Sequence, residues 1–393
     1  MQTIKTLSRQ WADDFIEIRH HLHAHPELSF KEYNTSAFIR AKLDEFGIPF
    51  TYPVAGTGIV ATLTGKKPGK KVIALRADMD ALPIRELNEV SYKSTNDGVM
   101  HGCGHDVHTT CLLGAAKILK HLENELEGTV RLIFQPGEEK HPGGASLMIR
   151  DGALENPVPD AIFGLHVTPE MEVGRLGFRE GIAMASADEI YITIKGKGGH
   201  AASPHLTTDI ILVASHIVVA LQQVISRNKN PLSPSVLSIC AFNGGYTTNV
   251  IPSEVKLQGT FRAMDETWRF RAHELIKKEV NAIAEGMGAT AEVEIPVGYP
   301  CLFNDTRITS HAHAIAETYI GKENVETVDM RMGAEDFAFY SQKIPACFLR
   351  LGVGNREQGI TSGVHTPLFN IDEHAIEIGM GTMATLAMQM LRD

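Results

Sequence analysis

Apolar residues recur at helical spacing over residues 7–23 and again over 34–46, which predicts two amphipathic helices near the start of the chain. Asn34 is the expected N-cap of the second and Gly47 its stop. Short apolar runs of strand length then alternate with helical stretches. Strands are expected at 58–63, 71–75, 129–134 and 161–165, and helices at 105–122 and 145–150. Such interleaving predicts an α/β fold: a mixed, largely parallel sheet covered by helices.

The pattern changes near Ala187. Strand periodicity at 189–195 is followed by a helix at 208–226, strands at 235–242 and 255–261, a helix at 266–285 and a strand at 289–295. That order is the sequence mark of a ferredoxin-like α+β unit. The helix, strand, strand and helix expected at 308–319, near Val328, at 346–351 and at 373–391 resume the first pattern. We therefore expect a first domain in two parts, 1–186 and 296–393, interrupted by an inserted domain at 187–295. No low-complexity tract or internal repeat is seen.

A chain of 393 residues is long for one core, in keeping with two domains. Apolar residues make up 43%, which is ordinary for a globular protein. A net charge of -10 without a polybasic run argues against nucleic acid as a partner. The five cysteines (Cys103, Cys111, Cys240, Cys301 and Cys347) are odd in number and scattered, which fits reduced thiols rather than a disulfide framework. The N-terminus has no apolar signal core, and the apolar run 210–221 is shorter than the roughly 20 residues of a membrane span. A soluble, cytoplasmic protein with no membrane partner is the expectation.

The candidate chemistry is concentrated. Cys103 and His105 sit in the glycine-rich stretch Met100-His101-Gly102-Cys103-Gly104-His105-Asp106, just before a predicted helix, and the pair Glu138-Glu139 follows a predicted strand and a Pro-Gly turn. Asp78 and Asp80, His166 and His365 also fall beyond predicted strands. Ligands of open α/β sheets bind outside the carboxyl ends of strands. Glycines let the backbone bend so that Cys103 and His105 can face one cavity, and a helix N-terminus favours a thiolate. Thiolate, imidazole and carboxylate together suit a divalent metal, and adjacent glutamates allow one to bind metal while the other holds a water. A divalent ion lowers the pKa of water to roughly 7, and a neighbouring carboxylate can then take the proton. The bland readings are structural: Cys-x-His alone is weak, a Glu pair is usually a solvated patch, and His20, His21, His23 and His25 read as capping or surface residues. Cys111, Cys240, Cys301 and Cys347 read as small packing residues. His101 and His108 are left outside the ligand set, and His141 reads as a loop residue.

Further segments add specificity: Leu22-His23-Ala24-His25-Pro26-Glu27-Leu28, Arg76-Ala77-Asp78-Met79-Asp80, Gln135-Pro136-Gly137-Glu138-Glu139, Gly164-Leu165-His166, Gly196-Lys197-Gly198-Gly199-His200-Ala201, Asn249-Val250-Ile251-Pro252 and Gly333-Ala334-Glu335-Asp336-Phe337. With them the chain resembles, over nearly its whole length, the dinuclear-metal amidohydrolases of the aminoacylase/carboxypeptidase superfamily. Its branch would be that of hippurate hydrolases, auxin-conjugate hydrolases and N-acetyl-diaminopimelate deacetylases. The text after the glutamate pair departs from many relatives, since Lys140-His141-Pro142 precedes Gly143-Gly144.

The resemblance implies two divalent metal ions per subunit, zinc or manganese with cobalt or nickel as further candidates. Cys103, His105, Glu139, His166 and His365 would be the ligands, with Cys103 bridging. It implies Glu138 as general base, Asp80 as the residue orienting a ligand imidazole, and His200 as a stabiliser of the substrate oxyanion. Asn249 and Arg262 would bind the substrate carboxylate. The inserted domain would be a lid and the contact surface of a homodimer or homotetramer. The implied reaction is hydrolysis of the amide bond of N-acyl amino acids, releasing a carboxylic acid and a free amino acid. The alternatives are a dipeptidase or carboxypeptidase using the same site, a non-catalytic binding protein on the same scaffold, and a thiol redox protein built on Cys103. The last lacks a nearby resolving cysteine, and the binding-protein reading is disfavoured because Glu138 and the ligand residues are all present.

Overall fold

A computed structural model describes residues 1–392. The chain divides into two compact units. The first comprises Met1–Gly181, Phe303–Asp329 and Asp336–Asp393, and the second Ile182–Leu302 with Met330–Glu335.

The first unit is built on an eight-stranded sheet. Its spatial order is Phe50–Val54, Gly58–Thr64, Glu127–Gln135, Lys67–Asp78, Ala161–Glu172, Ala346–Gly354, Leu176–Phe178 and Val325–Thr327. The four central strands, Glu127–Gln135 through Ala346–Gly354, run parallel. The first two strands and the Leu176–Phe178 pairing are antiparallel. The expected mixed α/β sheet is present, with its parallel character confined mainly to the centre. Apart from the exposed start of Lys67–Asp78, those strands are mostly buried, as sheets covered on both faces are. Helices Gln2–Ala24, His105–His121 and His374–Arg392 pack on one another, and the last two also pack on the sheet.

Two local readings change. Tyr33–Phe46 begins one residue before the expected N-cap, and Asn34 lies inside it. The helix-end donors are met from outside: Glu27 accepts from the Asn34 and Thr35 amides at 3.2 and 2.9 Å. At the other end Gly47 stops the helix in the left-handed region, φ 65°. The short strands Phe50–Val54 and Leu176–Phe178 are absent from the sequence reading.

The second unit has a four-stranded antiparallel sheet in the order Ser235–Asn243, Glu254–Ala263, Asp188–Lys195, Thr290–Glu294. Helices Ile210–Arg227 and Glu266–Gly286 lie between its first and second and its third and fourth strands in sequence. This is the ferredoxin-like connectivity, and the unit extends beyond residues 187–295 at both ends. Asp209 and Asp265 cap the two helices by accepting from Leu212 and Trp268 amides. Ile210–Arg227 is long and apolar enough to cross a membrane by length and composition. In this structure its Ile210, Val213, Ile217, Leu221 and Val224 belong to the core of the second unit.

A buried arginine ties the central strands together where they end. Arg76 donates to Gln135 Oε1 at 2.9 Å, Asp78 Oδ2 at 2.6 Å and Asp336 Oδ1 at 2.8 Å, and Gln135 Nε2 in turn donates to Asp336. Removing one partner of a buried ionic cluster strands the others in low dielectric. Arg76→Met should therefore cost about 3–5 kcal/mol of stability. Thermal melting reads this directly, and an unshifted midpoint would show that the cluster contributes nothing.

Candidate metal centre

Because the four central strands are parallel neighbours, their carboxyl ends share one edge. The chain leaves Lys67–Asp78 to join Glu127–Gln135 on one side and then Ala161–Glu172 on the other, so the sheet order reverses there. Ligand crevices form at such reversals. Asp78 ends its strand, Glu138 and Glu139 follow Gln135, and His365 follows Gly354. His166 is within its strand, not beyond it as expected, because pairing with Ala346–Gly354 continues to Thr168. Cys103 and His105 approach from the loop that starts His105–His121. Gly104 there has φ 83°, and a Cβ on it would meet Val167 Cγ2 at 2.5 Å, so only glycine fits.

The five sequence-predicted donors converge. Cys103, His105 and His166 present ligand atoms within 4.8 Å of one another, and so do Cys103, Glu139 and His365. Cys103 Sγ is common to both triads, 3.4 Å from His166 Nε2 and 3.2 Å from His365 Nε2. Glu139 Oε1 lies 3.1 Å from His365 Nε2. Glu138 is buried beside them, with Oε2 4.0 Å from His105 Nε2. His365 is held with φ 61°, unusual for a non-glycine residue, while its amide donates to Gly102 O at 2.7 Å.

The hydrogen bonds decide which ring nitrogens face the donors. His105 Nδ1 pairs with Asp80 Oδ1 at 3.2 Å, and His166 Nδ1 with the Val167 carbonyl at 2.7 Å. Each therefore keeps a proton on Nδ1, which leaves Nε2 as the ring nitrogen that faces inward. His105 Nε2 is buried with no hydrogen-bond partner. A buried ring nitrogen without a hydrogen-bond partner, set among sulfur and carboxylate groups, suits a cation site. The donor set therefore fits two divalent ions. Asp78, His105 and His108 also lie close together, but His108 commits both nitrogens, accepting from Val167 N–H at 3.0 Å and bonding Asp78 Oδ1 at 2.6 Å. That cluster is internally paired.

The field favours positive charge. Burial disfavours protonated His105, yet the charge of Asp78 and the bond to Asp80 outweigh it and hold its pKa well above the ordinary histidine value. Hydrogen bonding to Cys103 and Glu139 pushes His365 up to about 10. His166 moves the opposite way, lowered by burial and by the nearby His108 and Arg350, and so is a neutral donor. Burial pushes the Cys103 thiol up, opposed by the neighbouring His105 and by the hydrogen bond with His365.

The other predicted residues fall into two groups. Asp80 lies inside the cluster, accepting from the Glu138 and Glu139 amides at 3.1 Å each and from Ser29 Oγ at 2.6 Å. His200, Asn249 and Arg262 all lie in the second unit. There His200 pairs with Val250 on two short strands, and Ala201 N–H donates to Asn249 O at 3.0 Å; both side chains are exposed. Arg262 is on Glu254–Ala263, donating to Thr260 Oγ1 at 3.3 Å.

Two readings of burial are corrected. His23 is fully buried, with Nδ1 2.8 Å from Asp106 and Nε2 3.1 Å from Glu86, because an ionic cluster with Arg19 sits beneath the ligand loop. Cys240 is exposed on the edge strand Ser235–Asn243 and does not pack in a core. Residues that sequence reasoning left without a role include Arg76, Gln135, Asp336 and Glu32. The first three stand in the quoted motifs, but a charged residue inside an apolar strand signals only that some partner exists.

Glu32 is buried, and burial together with the charge of Asp80 raises its carboxyl to about 7. An acid whose folded pKa exceeds its unfolded value of 4.5 costs stability when ionised. Between those two pH values the native state holds the proton and the unfolded state does not, so stability falls as pH rises from 4.5 towards about 7. Glu32→Gln should thus gain up to about 3 kcal/mol over the parent protein at pH 8 and little at pH 4.5. Denaturation at the two pH values measures it, and a pH-independent difference would contradict the shift.

The chain is similar to known proteins. Residues 74–389 match the family described as Peptidase family M20/M25/M40. The chain is 41% identical to N-acetyl-L-cysteine deacetylase of Bacillus subtilis, over 95% of this chain and 86% of that one. It is 37% identical to thermostable carboxypeptidase 2 of Saccharolobus solfataricus, over 99% and 98%. Its fold matches the crystal structure of the Bacillus subtilis YXEP protein, a dinuclear metal binding peptidase from the M20 family. The TM-score is 0.84 at 36% identity, covering 98% of this chain and 99% of that one.

Proposed function

From the premise that this chain belongs to the M20/M25/M40 peptidase family, we propose that it hydrolyses the amide bond of N-acyl amino acids, releasing a carboxylic acid and a free amino acid. The observation that carries this reading is the Cys103 sulfur shared by two donor triads with a buried glutamate, Glu138, beside them. Cys103, His105, Glu139, His166 and His365 would hold two divalent ions, zinc or manganese by donor type, with cobalt and nickel as further candidates. Bound there, such ions would acidify a water and polarise the scissile carbonyl.

The chain's own groups do the rest. Glu138 takes the proton of the attacking water and returns it to the leaving amine. Asp80 fixes the Nδ1–H tautomer of His105 and anchors the backbone on which Glu138 and Glu139 sit. His200 is assigned to the oxyanion, and Asn249 and Arg262 to the substrate carboxylate, on the strength of the sequence resemblance. The second unit, with exposed Leu212 and Val219 on one helix and Val236 and Phe242 on its edge strand, is assigned as the contact surface of a homodimer or homotetramer. Five free cysteines support a reducing, cytoplasmic setting.

A second reading, a carboxypeptidase or dipeptidase with the same centre, is favoured by the likeness to the Saccharolobus carboxypeptidase. Turnover of hippurate, N-acetyl amino acids and dipeptides, on protein stripped and refilled with each metal, separates the two. Dipeptides outpacing every N-acyl amino acid would overturn the first.

Glu138→Ala should keep both metals, measured by elemental analysis, and lose about 10²–10⁴-fold in kcat. Full activity in that variant would remove Glu138 from the mechanism. Cys103→Ser should lose metal, since hydroxyl is a poorer donor than thiolate. Unchanged occupancy would show that the sulfur is not a ligand.

A further inference from the structure

We propose that Glu32 is a positioning residue for the base, clamping the turn that presents Glu138; this rests on the reading of Glu138 given above. Three successive amides, those of Gly137, Glu138 and Glu139, point into no strand or helix. Each is taken by a buried carboxylate. Glu138 and Glu139 N–H go to Asp80, and Gly137 N–H goes to Glu32 Oε1 at 2.9 Å. The same Oε1 accepts from Phe30 N–H at 2.8 Å, and Oε2 accepts from Thr57 Oγ1 at 2.7 Å.

The loop before Glu32 reaches the turn twice more. Ser29 Oγ donates to Asp80, the carboxylate that holds the next two amides. Phe30 is left-handed, φ 64°, and its ring lies against Gly137 so closely that a Cβ there would fall 2.3 Å from Cε1. Gly137 itself has φ 61°. Phe30, in a backbone region that non-glycine residues rarely adopt, thus faces Gly137, and the Glu32 carboxyl is the group that bonds both amides. A buried donor must find an acceptor, so deleting this carboxyl frees the Gly137 end of the turn while Asp80 still holds the Glu139 end. The expected consequence is graded: Asp80 still holds both the Glu138 and Glu139 amides, but Glu138 borders the freed Gly137 and loses more alignment than Glu139. Misplacing a catalytic group by about 1 Å can cost on the order of 10²-fold.

The test compares Glu32→Ala, Glu32→Asp and Glu32→Gln in the metal-loaded, full-length protein. The assay uses the best substrate found among hippurate, N-acetyl amino acids and dipeptides, and hydrogen–deuterium exchange is followed in the peptide covering 136–139. Glu32→Ala should lower kcat at least tenfold with KM within threefold and metal content unchanged, and should lose amide protection in that peptide. Glu32→Gln should recover to within threefold of the parent, since its carbonyl still accepts from both amides and its NH₂ can face Thr57. Glu32→Asp keeps the charge but is one methylene short, and should stay impaired. The proposal is overturned if Glu32→Ala keeps kcat within twofold, if its loss follows metal loss, or if Glu32→Asp outperforms Glu32→Gln. If Glu32→Ala does not fold, the order of Asp and Gln decides. If the parent hydrolyses none of these substrates, the proposed reaction fails, and the exchange data alone decide the clamp: lost protection supports it and unchanged protection overturns it.

Discussion

The carboxylate of Asp80 is the constraint on which the centre depends. Fully buried, it accepts from His105, from Ser29 and from two consecutive amides. Burial alone would raise its pKa, but the bond and charge of His105, with the Ser29 and Glu139 donors, hold it below the usual carboxylate value. It therefore stays ionised where an isolated buried acid would not. One group thus orients an imidazole, fixes the backbone of two glutamates and contributes negative charge to a site that gathers cation donors.

Around it the fold supplies rigidity by burying further charge. Arg76, Gln135, Asp78 and Asp336 link the ends of adjacent strands, and Asp336 also accepts from the Ala145 amide. Arg19, His23, Glu86 and Asp106 form a second buried cluster that anchors the first helix under the Cys103–His105 loop. Asp106 is held far below its usual range: burial opposes this, but Arg19 and the hydrogen bond to His23 overcome it. Such clusters are expensive to desolvate, which is consistent with their serving placement more than stability. The second unit carries its own core and its own buried cluster of Asp188, Arg269 and His273.

How much was legible in the sequence follows from what each residue's neighbours reveal. The alternation of 189–195 and the helical spacing of 266–285 survive into Asp188–Lys195 and Glu266–Gly286, because each element faces one core. The candidate groups were legible because their types are rare together and because strands and glycine turns placed them at one edge, whereas the choice of Cys103, His105, Glu139, His166 and His365 as the ligand set came from the family resemblance. His23 was misread because local sequence shows a helix end and a proline, whereas its burial is decided by Asp106 and Glu86, far along the chain. Glu32 was invisible for the same reason. A glutamate ahead of a helix reads as solvated, and only the fold brings it to Gly137. Cys240 looked like a core residue by type but lies on an edge strand, where sequence period does not say which face is covered.

The central claim, that Cys103 joins two cation sites, is tested most directly by anomalous diffraction from crystals of the metal-loaded protein. The account predicts two peaks about 3.5–4 Å apart, with Cys103 Sγ between them, His105 and His166 on one and Glu139 and His365 on the other. A single peak, or density away from Cys103, would contradict it.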